Sequence, residues 1–400
     1  MTVRFLKTWS EQNTDNLDDL IEVIDRHSFK TKRFETLFDF SSISFQCSFG
    51  LKNPKIEKHI KSQLETISIS TPKFQTESQK YLADRLVEKI RMNGKIFFTT
   101  SGAESVSNAI KILRQSTGKK LIYSFKKSYH GATNEALEVT GDWRRENNHL
   151  SKNNHRWLVD PSEDCDFSKS SKLLKSNQEN LCGIIIEPVS GKNGVYTPPL
   201  SWWKGLKKAK EEIGFKLISD EVVCGFYRTG KFFGFQNFKI KPDVICMAKA
   251  ITGGFVPFGA VFFRKNIVNS FSNKVLSAGL TNYAHPLGVA ASHAVLDIIE
   301  TVKFKNTLKK NIEIFNHFQK TLSEYFTVRS KGLLLAIDLE KEVEIDTFQH
   351  NGLNLIINNK TIIIAPSLTC SSKLLKKNLL ILEKIIRQQS RNGYVFKKVS

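Results

Sequence analysis

Val244-Ile245-Cys246-Met247-Ala248-Lys249-Ala250-Ile251-Thr252-Gly253-Gly254 is the stretch around which this chain is organised. Its first four residues read as a short strand, apolar on both faces, that gives way to a Gly-rich turn. Lys249 stands at the junction with its stem among hydrophobic residues. Poor solvation disfavours an ammonium and lowers its pKa. A neutral amine is what imine formation with an aldehyde requires. Most lysines in so Lys-rich a chain are solvated surface, so Lys249 gains weight only from its companions.

Other strands of the same texture precede it. Lys95 to Thr100, Lys120 to Phe125, Gly183 to Ile186 and Lys216 to Ser219 are short and nearly all apolar. Helical patterns lie among them, from Glu77 to Arg91, from the turn after Thr100 to Arg114, and from Trp202 to Glu212. Strands apolar on both faces that alternate with helices predict an α/β fold with a mostly parallel sheet covered on both sides. Such sheets bind ligands outside the carboxyl ends of their strands. The residues at those ends are Ser101-Gly102, Tyr129-His130, Glu187-Pro188, Asp220-Glu221 and Lys249. One site would collect them all.

Each end suggests a chemistry. Ser101, Gly102 and Ala103 open a helix, where small residues let backbone N–H groups approach a phosphate. Tyr129 can lie flat on an aromatic ring; a loop-edge tyrosine packed for structure is its plainer reading. Asp220 ends a buried strand, so its carboxylate needs a cation. A protonated pyridine nitrogen would serve, and would make the ring an electron sink. An internal arginine pair, or a metal shared with His130 and Glu187, are the alternatives; no metal is expected. Val222 would cover the ring face opposite Tyr129. Phosphate cradle, stacking tyrosine, pyridinium carboxylate and imine lysine together are the requirements of pyridoxal 5'-phosphate (PLP).

The 400 residues exceed one ordinary domain. After about residue 300 the texture changes: a helical segment from Asn306 to Phe326, a strand from Gly332 to Leu339, another from Thr361 to Ile364, and a helix from Leu374 to Gln389. This reads as a small α+β domain built from both termini, with boundaries at 1–70, 71–300 and 301–400. A net charge of +21 invites a nucleic-acid reading. The lysines are scattered, however, and no zinc-finger spacing or RNP-like motif accompanies them, so a generally basic surface and no nucleic-acid partner are expected. The six cysteines are far apart and several lie in apolar runs, which suits a reducing compartment. The polar residues after Met1-Thr2-Val3 give no signal-peptide pattern, and no apolar run is long enough to span a bilayer. A cytoplasmic protein is expected.

At this point the residues resemble the class III (ω-amino acid type) aminotransferases of PLP fold type I. The similarity runs from Phe49-Gly50-Leu51-Lys52-Asn53-Pro54 to Ile364-Ala365-Pro366-Ser367-Leu368-Thr369. Between them lie Thr100-Ser101-Gly102-Ala103-Glu104, Tyr129-His130-Gly131, Ile186-Glu187-Pro188-Val189 and Ser219-Asp220-Glu221-Val222. Gly225-Phe226-Tyr227-Arg228-Thr229-Gly230, Met247-Ala248-Lys249 and Gly279-Leu280-Thr281 with His285-Pro286 complete the set. The resemblance implies that Lys249 is the imine lysine and Asp220 the pyridine-nitrogen partner. It implies that Ser101, Gly102 and Ala103 belong to the phosphate cup, and that Tyr129 and Val222 sandwich the ring, with His130 and Glu187 close by. Thr281 matches a threonine that reaches the cofactor phosphate of a neighbouring subunit, which implies a homodimer with shared active sites. For Glu187 a strand-end surface carboxylate is the plainer reading.

Three positions depart from the family pattern. Lys192 stands where many members carry a glutamate, Ile363 where they carry the arginine that binds a substrate carboxylate, and Ser107 where a glutamate is common. An aliphatic Ile363 cannot hold a carboxylate. Lys192 offers a different cation, a point charge rather than a fork, although a solvated loop lysine is its plainer reading. The expected reaction moves an amino group from an ω-amine or β-amino compound to a 2-oxo acid such as pyruvate. The segments around Lys249, Val256-Pro257-Phe258 and Thr281 look most like the β-alanine/taurine:pyruvate branch. A glutamate-1-semialdehyde-type aminomutase, a PLP-dependent decarboxylase and a non-catalytic protein on the same scaffold are the alternatives.

Overall fold

The computed structural model describes residues 4–13, 18–148, 150 and 153–391. Of the stretches read above, residues 1–3 of the N-terminal start and 392–400 of the C-terminal part lie outside the described residues. Three strands come first, β1 (Leu20–Val23), β2 (Ser28–Thr31) and β3 (Leu37–Asp39). The central strands are β4 (Gly94–Thr99), β5 (Leu121–Ser124), β6 (His155–Trp157), β7 (Leu181–Ile186), β8 (Lys216–Asp220), β9 (Val244–Met247) and β10 (Gly259–Arg264). The last strands are β11 (Thr327–Lys331), β12 (Leu334–Asp338), β13 (Leu353–Asn354), β14 (Ile356–Asn358) and β15 (Thr361–Ile364).

The central strands form one seven-stranded sheet in the order β4-β10-β9-β8-β7-β5-β6. β5, β6, β7, β8 and β9 pair in parallel, and only β10 runs against its neighbours β4 and β9. Strands β5, β7, β8 and β9 are buried almost along their whole length, because helices cover both faces. Two strands were not anticipated, the antiparallel β10 and the parallel edge strand β6. β10 continues the stretch Val256-Pro257-Phe258, and β6 is a short, mostly polar edge strand.

The helices begin where the local chemistry allows. Thr76 and Gln79 form a reciprocal capping box ahead of the helix Glu77–Ile90. Ser101 caps the helix Gly102–Thr117 by accepting from Glu104 N at 3.2 Å. The long C-terminal-half helix covers Val302–Leu322 rather than 306–326, since Thr301 Oγ1 accepts from Phe304 N at 3.1 Å and sets its start earlier.

Both termini contribute to the smaller sheets. β13 pairs in parallel with β3, so a strand from beyond residue 350 completes the N-terminal sheet β1-β2-β3-β13. The other sheet is antiparallel, in the order β11-β12-β15-β14. Among the described residues no helix is long and apolar enough to cross a membrane.

Candidate active site

A cavity of about 620 Å³ opens at the carboxyl ends of the parallel strands. Ser101, Gly102, Ala103, Tyr129, His130, Glu187, Asp220, Val222 and Lys249 all line it. Thr281 does not; it is exposed, in the turn before the helix Pro286–Glu300.

β4 delivers the turn Ser101-Gly102-Ala103 at the N-terminus of its helix. A Cβ added to Gly102 would lie 3.0 and 3.2 Å from the methyl groups of Val222, so the turn presents bare backbone here. Gly131 has φ +132°, and a Cβ there would meet the Ala103 Cβ at 2.7 Å. Only glycine lets the loop after β5 pack on the cradle. Ser107 faces Thr133, hydroxyl to hydroxyl at 2.6 Å, and Thr133 Oγ1 donates to Ala103 O at 3.2 Å. The serine at that family position thus braces the turn.

β8 delivers Asp220, which is 4% exposed. Its Oδ2 is 2.7 Å from His130 Nδ1, and its Oδ1 accepts from Val222 N at 3.0 Å. A carboxylate only accepts, so the imidazole N–H is the donor. His130 Nε2 is buried without a partner among the described residues. Among the described residues no Lys or Arg pairs with Asp220, so a buried carboxylate is left facing the cavity with room for a cation.

Lys249 follows β9 with φ +47°, a left-handed conformation that turns its side chain out of the strand direction. It lies deep in the protein yet keeps part of its surface open to the cavity. Burial lowers its pKa, and Asp220 and Glu187 offset part of that effect. Glu187 accepts from Tyr129 N at 3.3 Å and Ser190 Oγ at 3.0 Å. Burial pushes its carboxyl up to about 7, against the pull of His130. It is a wall residue rather than a surface carboxylate.

The solvated reading of Lys192 is overturned. Its side chain is half-buried, lines the cavity, and places Nζ 4.7 Å from the centre of the Tyr129 ring. Burial, and then the neighbouring Arg144, lower its pKa to about 8. Ile363 is wholly buried with Val189, Val195, Leu334 and Ala336 and does not line the cavity. Sequence reasoning missed Arg144, whose guanidinium sits 4.9 Å from the Tyr129 ring centre, and Trp9, Phe45 and Phe258 on the apolar walls. The basic pair Arg144-Arg145 after Asp142 was the available signal, but nothing local ties it to Tyr129.

The family model of the class-III aminotransferases matches residues 32–386. The chain belongs to this family. Acetylornithine aminotransferase of Archaeoglobus fulgidus is 33% identical over 316 residues, covering 78% of this chain and 80% of that protein. The LysW-aminoadipate semialdehyde/glutamate semialdehyde transaminase of Sulfolobus acidocaldarius is 33% identical over 296 residues, covering 72% and 74%. Among solved structures, the taurine:2-oxoglutarate aminotransferase of Bifidobacterium kashiwanohense, in complex with PLP and glutamate, superposes with a TM-score of 0.89. It is 27% identical, and the match covers 97% of this chain and 96% of that one. This class-III aminotransferase is therefore a PLP-dependent enzyme of fold type I. Several of its curated relatives carry acetylornithine names where a β-alanine/taurine:pyruvate branch was expected, while a taurine enzyme stands among its structural neighbours.

The residues present fit PLP. A backbone cradle at a helix N-terminus suits the phosphate, a buried carboxylate without Lys or Arg suits a pyridinium, and a buried lysine of lowered pKa suits the aldehyde.

Proposed function

We propose that this class-III aminotransferase takes its amino group from an ω-amine or β-amino compound and delivers it to a 2-oxo acid such as pyruvate. The observation that carries this reading is Ile363: the family's carboxylate arginine is replaced by a residue packed in the core, while the cations Lys192 and Arg144 line the cavity elsewhere. An acid group on the carbon that bears the amine has no fork at the family's usual place. The named relatives support a terminal amine, since taurine carries its amine β to a sulfonate and a semialdehyde corresponds to a terminal amine.

Bound PLP supplies an electron sink that lets the amine-bearing carbon release a proton and the amino group pass to the acceptor. Lys249 would anchor it, and its neutral Nζ would take and return that proton. Asp220, oriented by His130, would keep the pyridine nitrogen protonated. Ser101, Gly102 and Ala103 would hold the phosphate, Tyr129 and Val222 would cover the two ring faces, and Glu187 would lie beside the ring. Thr281, exposed on its own chain, would reach the phosphate of a second subunit in a homodimer with shared sites. The proposed units are 1–70 with 301–400 around the core 71–300, in a cytoplasmic enzyme.

The test is a screen of amines offered alone to the PLP-loaded protein, with Lys249→Ala as the blank. β-Alanine or taurine should convert the cofactor stoichiometrically to its pyridoxamine form, and pyruvate should restore it. A spectrum changed by α-amino acids but untouched by every terminal amine would overturn the donor class. An aminomutase would return to the starting spectrum without any oxo acid.

A further inference from the structure

Arg144 has no part in the chemistry above, yet it is built into the same cavity. We propose that Arg144 is the specificity-determining residue for the donor's acidic group, so that the terminal amines accepted are those bearing a carboxylate or a sulfonate. This rests on the ω-amine reading and narrows it.

The guanidinium is fixed in place before any ligand arrives. Arg144 lies in the single turn Trp143–Arg145, whose capping residue Asp142 accepts from Arg144 N at 3.0 Å and also pairs with Arg144 Nη1. Three aromatic rings surround the charge, with the guanidinium carbon 4.5 Å from the centre of Trp9, 4.9 Å from Tyr129 and 4.9 Å from Trp143. Stacked in this way, a planar cation keeps one orientation and loses little freedom on binding. The aromatic ring it shares with the site is Tyr129, so the proposed cofactor end and the proposed acid end meet on one side chain.

The guanidinium is also incompletely satisfied. Its side chain is only 9% exposed, and its Nε–H is buried without an acceptor among the described residues. Buried polar groups are nearly always paired, so a donor of this kind at a cavity wall marks a place for an acceptor that a ligand brings. The neighbouring cation agrees. Arg144 and Lys192 both sit over Tyr129, and Asp142 is the carboxylate that pairs with Arg144. Glu187 and Asp220 are already engaged by Tyr129, Ser190 and His130. A ligand anion at this wall would meet both cations over Tyr129. A fork of parallel N–H groups matches the paired oxygens of a carboxylate or a sulfonate better than a point charge does.

The experiment compares β-alanine and taurine with n-propylamine, a terminal amine without an acid group, as donors to the PLP-loaded enzyme and its Arg144→Met and Arg144→Lys variants. Binding of propionate, the acid without the amine, is measured on the same proteins by calorimetry. Truncating one partner of a buried charged pair typically weakens an interaction about 30-fold or more. Arg144→Met should therefore lower the kcat/KM ratio of β-alanine over n-propylamine by about 30- to 100-fold and weaken propionate in parallel. Arg144→Lys keeps charge without the fork and should lose about tenfold. It keeps the test alive if the methionine variant does not fold. An unchanged ratio in either variant overturns the proposal, as does a wild-type enzyme that prefers n-propylamine to both acids. A wild-type enzyme that converts neither acids nor n-propylamine overturns the ω-amine reading, and this inference with it.

Discussion

Replacing Lys192 tests whether the cation standing at the family's glutamate position does anything for the substrate. The loop that carries it is closed by Ser190 and Tyr196, whose backbones exchange hydrogen bonds at 2.7 and 3.3 Å, and Arg329 Nε donates to Gly194 O at 2.6 Å. Lys192 is therefore held over Tyr129 rather than swinging in water. With its pKa lowered to about 8, mainly by burial and then by Arg144 and Lys249 against Asp142 and Glu187, it loses its charge within the working range. Roughly nine-tenths of the side chain is charged at pH 7 and roughly one-tenth at pH 9. A hydrogen bond to a charged group contributes about 1.5–3 kcal/mol when buried. Half-exposure screens that to about 1 kcal/mol, which is roughly fivefold in kcat/KM. The sign follows from the charged form being the useful one, so wild-type kcat/KM for β-alanine should fall about threefold from pH 7 to pH 9 relative to Lys192→Arg, which stays charged throughout. Lys192→Met should be about fivefold worse at pH 7 and flat relative to wild type's decline. Initial rates from pH 6.5 to 9.5 measure this, and the comparison among variants cancels the ionisation of Lys249 and of the donor. If Lys192→Met leaves the KM values of both half-reactions unchanged, Lys192 takes no part in recognition.

His130→Ala removes the donor to Asp220 Oδ2 and should cut kcat about 10- to 100-fold, a hydrogen bond to a buried charge being at stake; His130→Asn keeps an N–H near the Nδ1 position and should recover most of it in steady-state kinetics. Gly131→Ala forces a side chain into φ +132° and against Ala103, at a cost of about 2–4 kcal/mol, so the melting temperature should drop by several degrees in a fluorimetric scan. Thr281→Ala should leave an assembly of twice the 45.5 kDa chain in light scattering while weakening PLP retention about tenfold, and a monomeric wild type would contradict the shared site. Ile363→Arg should not restore a carboxylate site; it buries a charge among Val189, Leu334 and Ala336, which costs several kcal/mol and shows as a lowered melting temperature.

How far the sequence could be read depended on whether a residue's meaning was local. Lys249, Asp220 and Ser101 stand at the ends of strands buried on both faces, and apolar strands of that kind announce where their ends must be. The antiparallel direction of β10 was not legible because Gly259–Arg264 has the same apolar texture as its parallel neighbours, and composition carries no pairing direction. β6, with its exposed Arg156, lacks the apolar run by which the central strands were found. Arg144 was missed for a different reason. The turn Trp143–Arg145 has no periodicity, and its role depends on Trp9, Tyr129 and Lys192, which come from three other parts of the chain.

The case of Ile363 joins these strands of reasoning. By resemblance it occupied a binding position; by composition it was one of three consecutive isoleucines in a strand, and composition was the better guide to where it points. Its side chain packs beneath the loop that carries Lys192, against Val189 and Val195, and that loop is pinned to β11 through Arg329. An arginine at 363 would need a carboxylate partner inside this cluster, and the family's glutamate position is already a lysine. The loop thus packs on an apolar strand at Ile363 while Lys192 faces the cavity. On the proposed reading, an acidic substrate would be read from the large sheet's loops, where Arg144 and Lys192 meet over Tyr129, and not from β15.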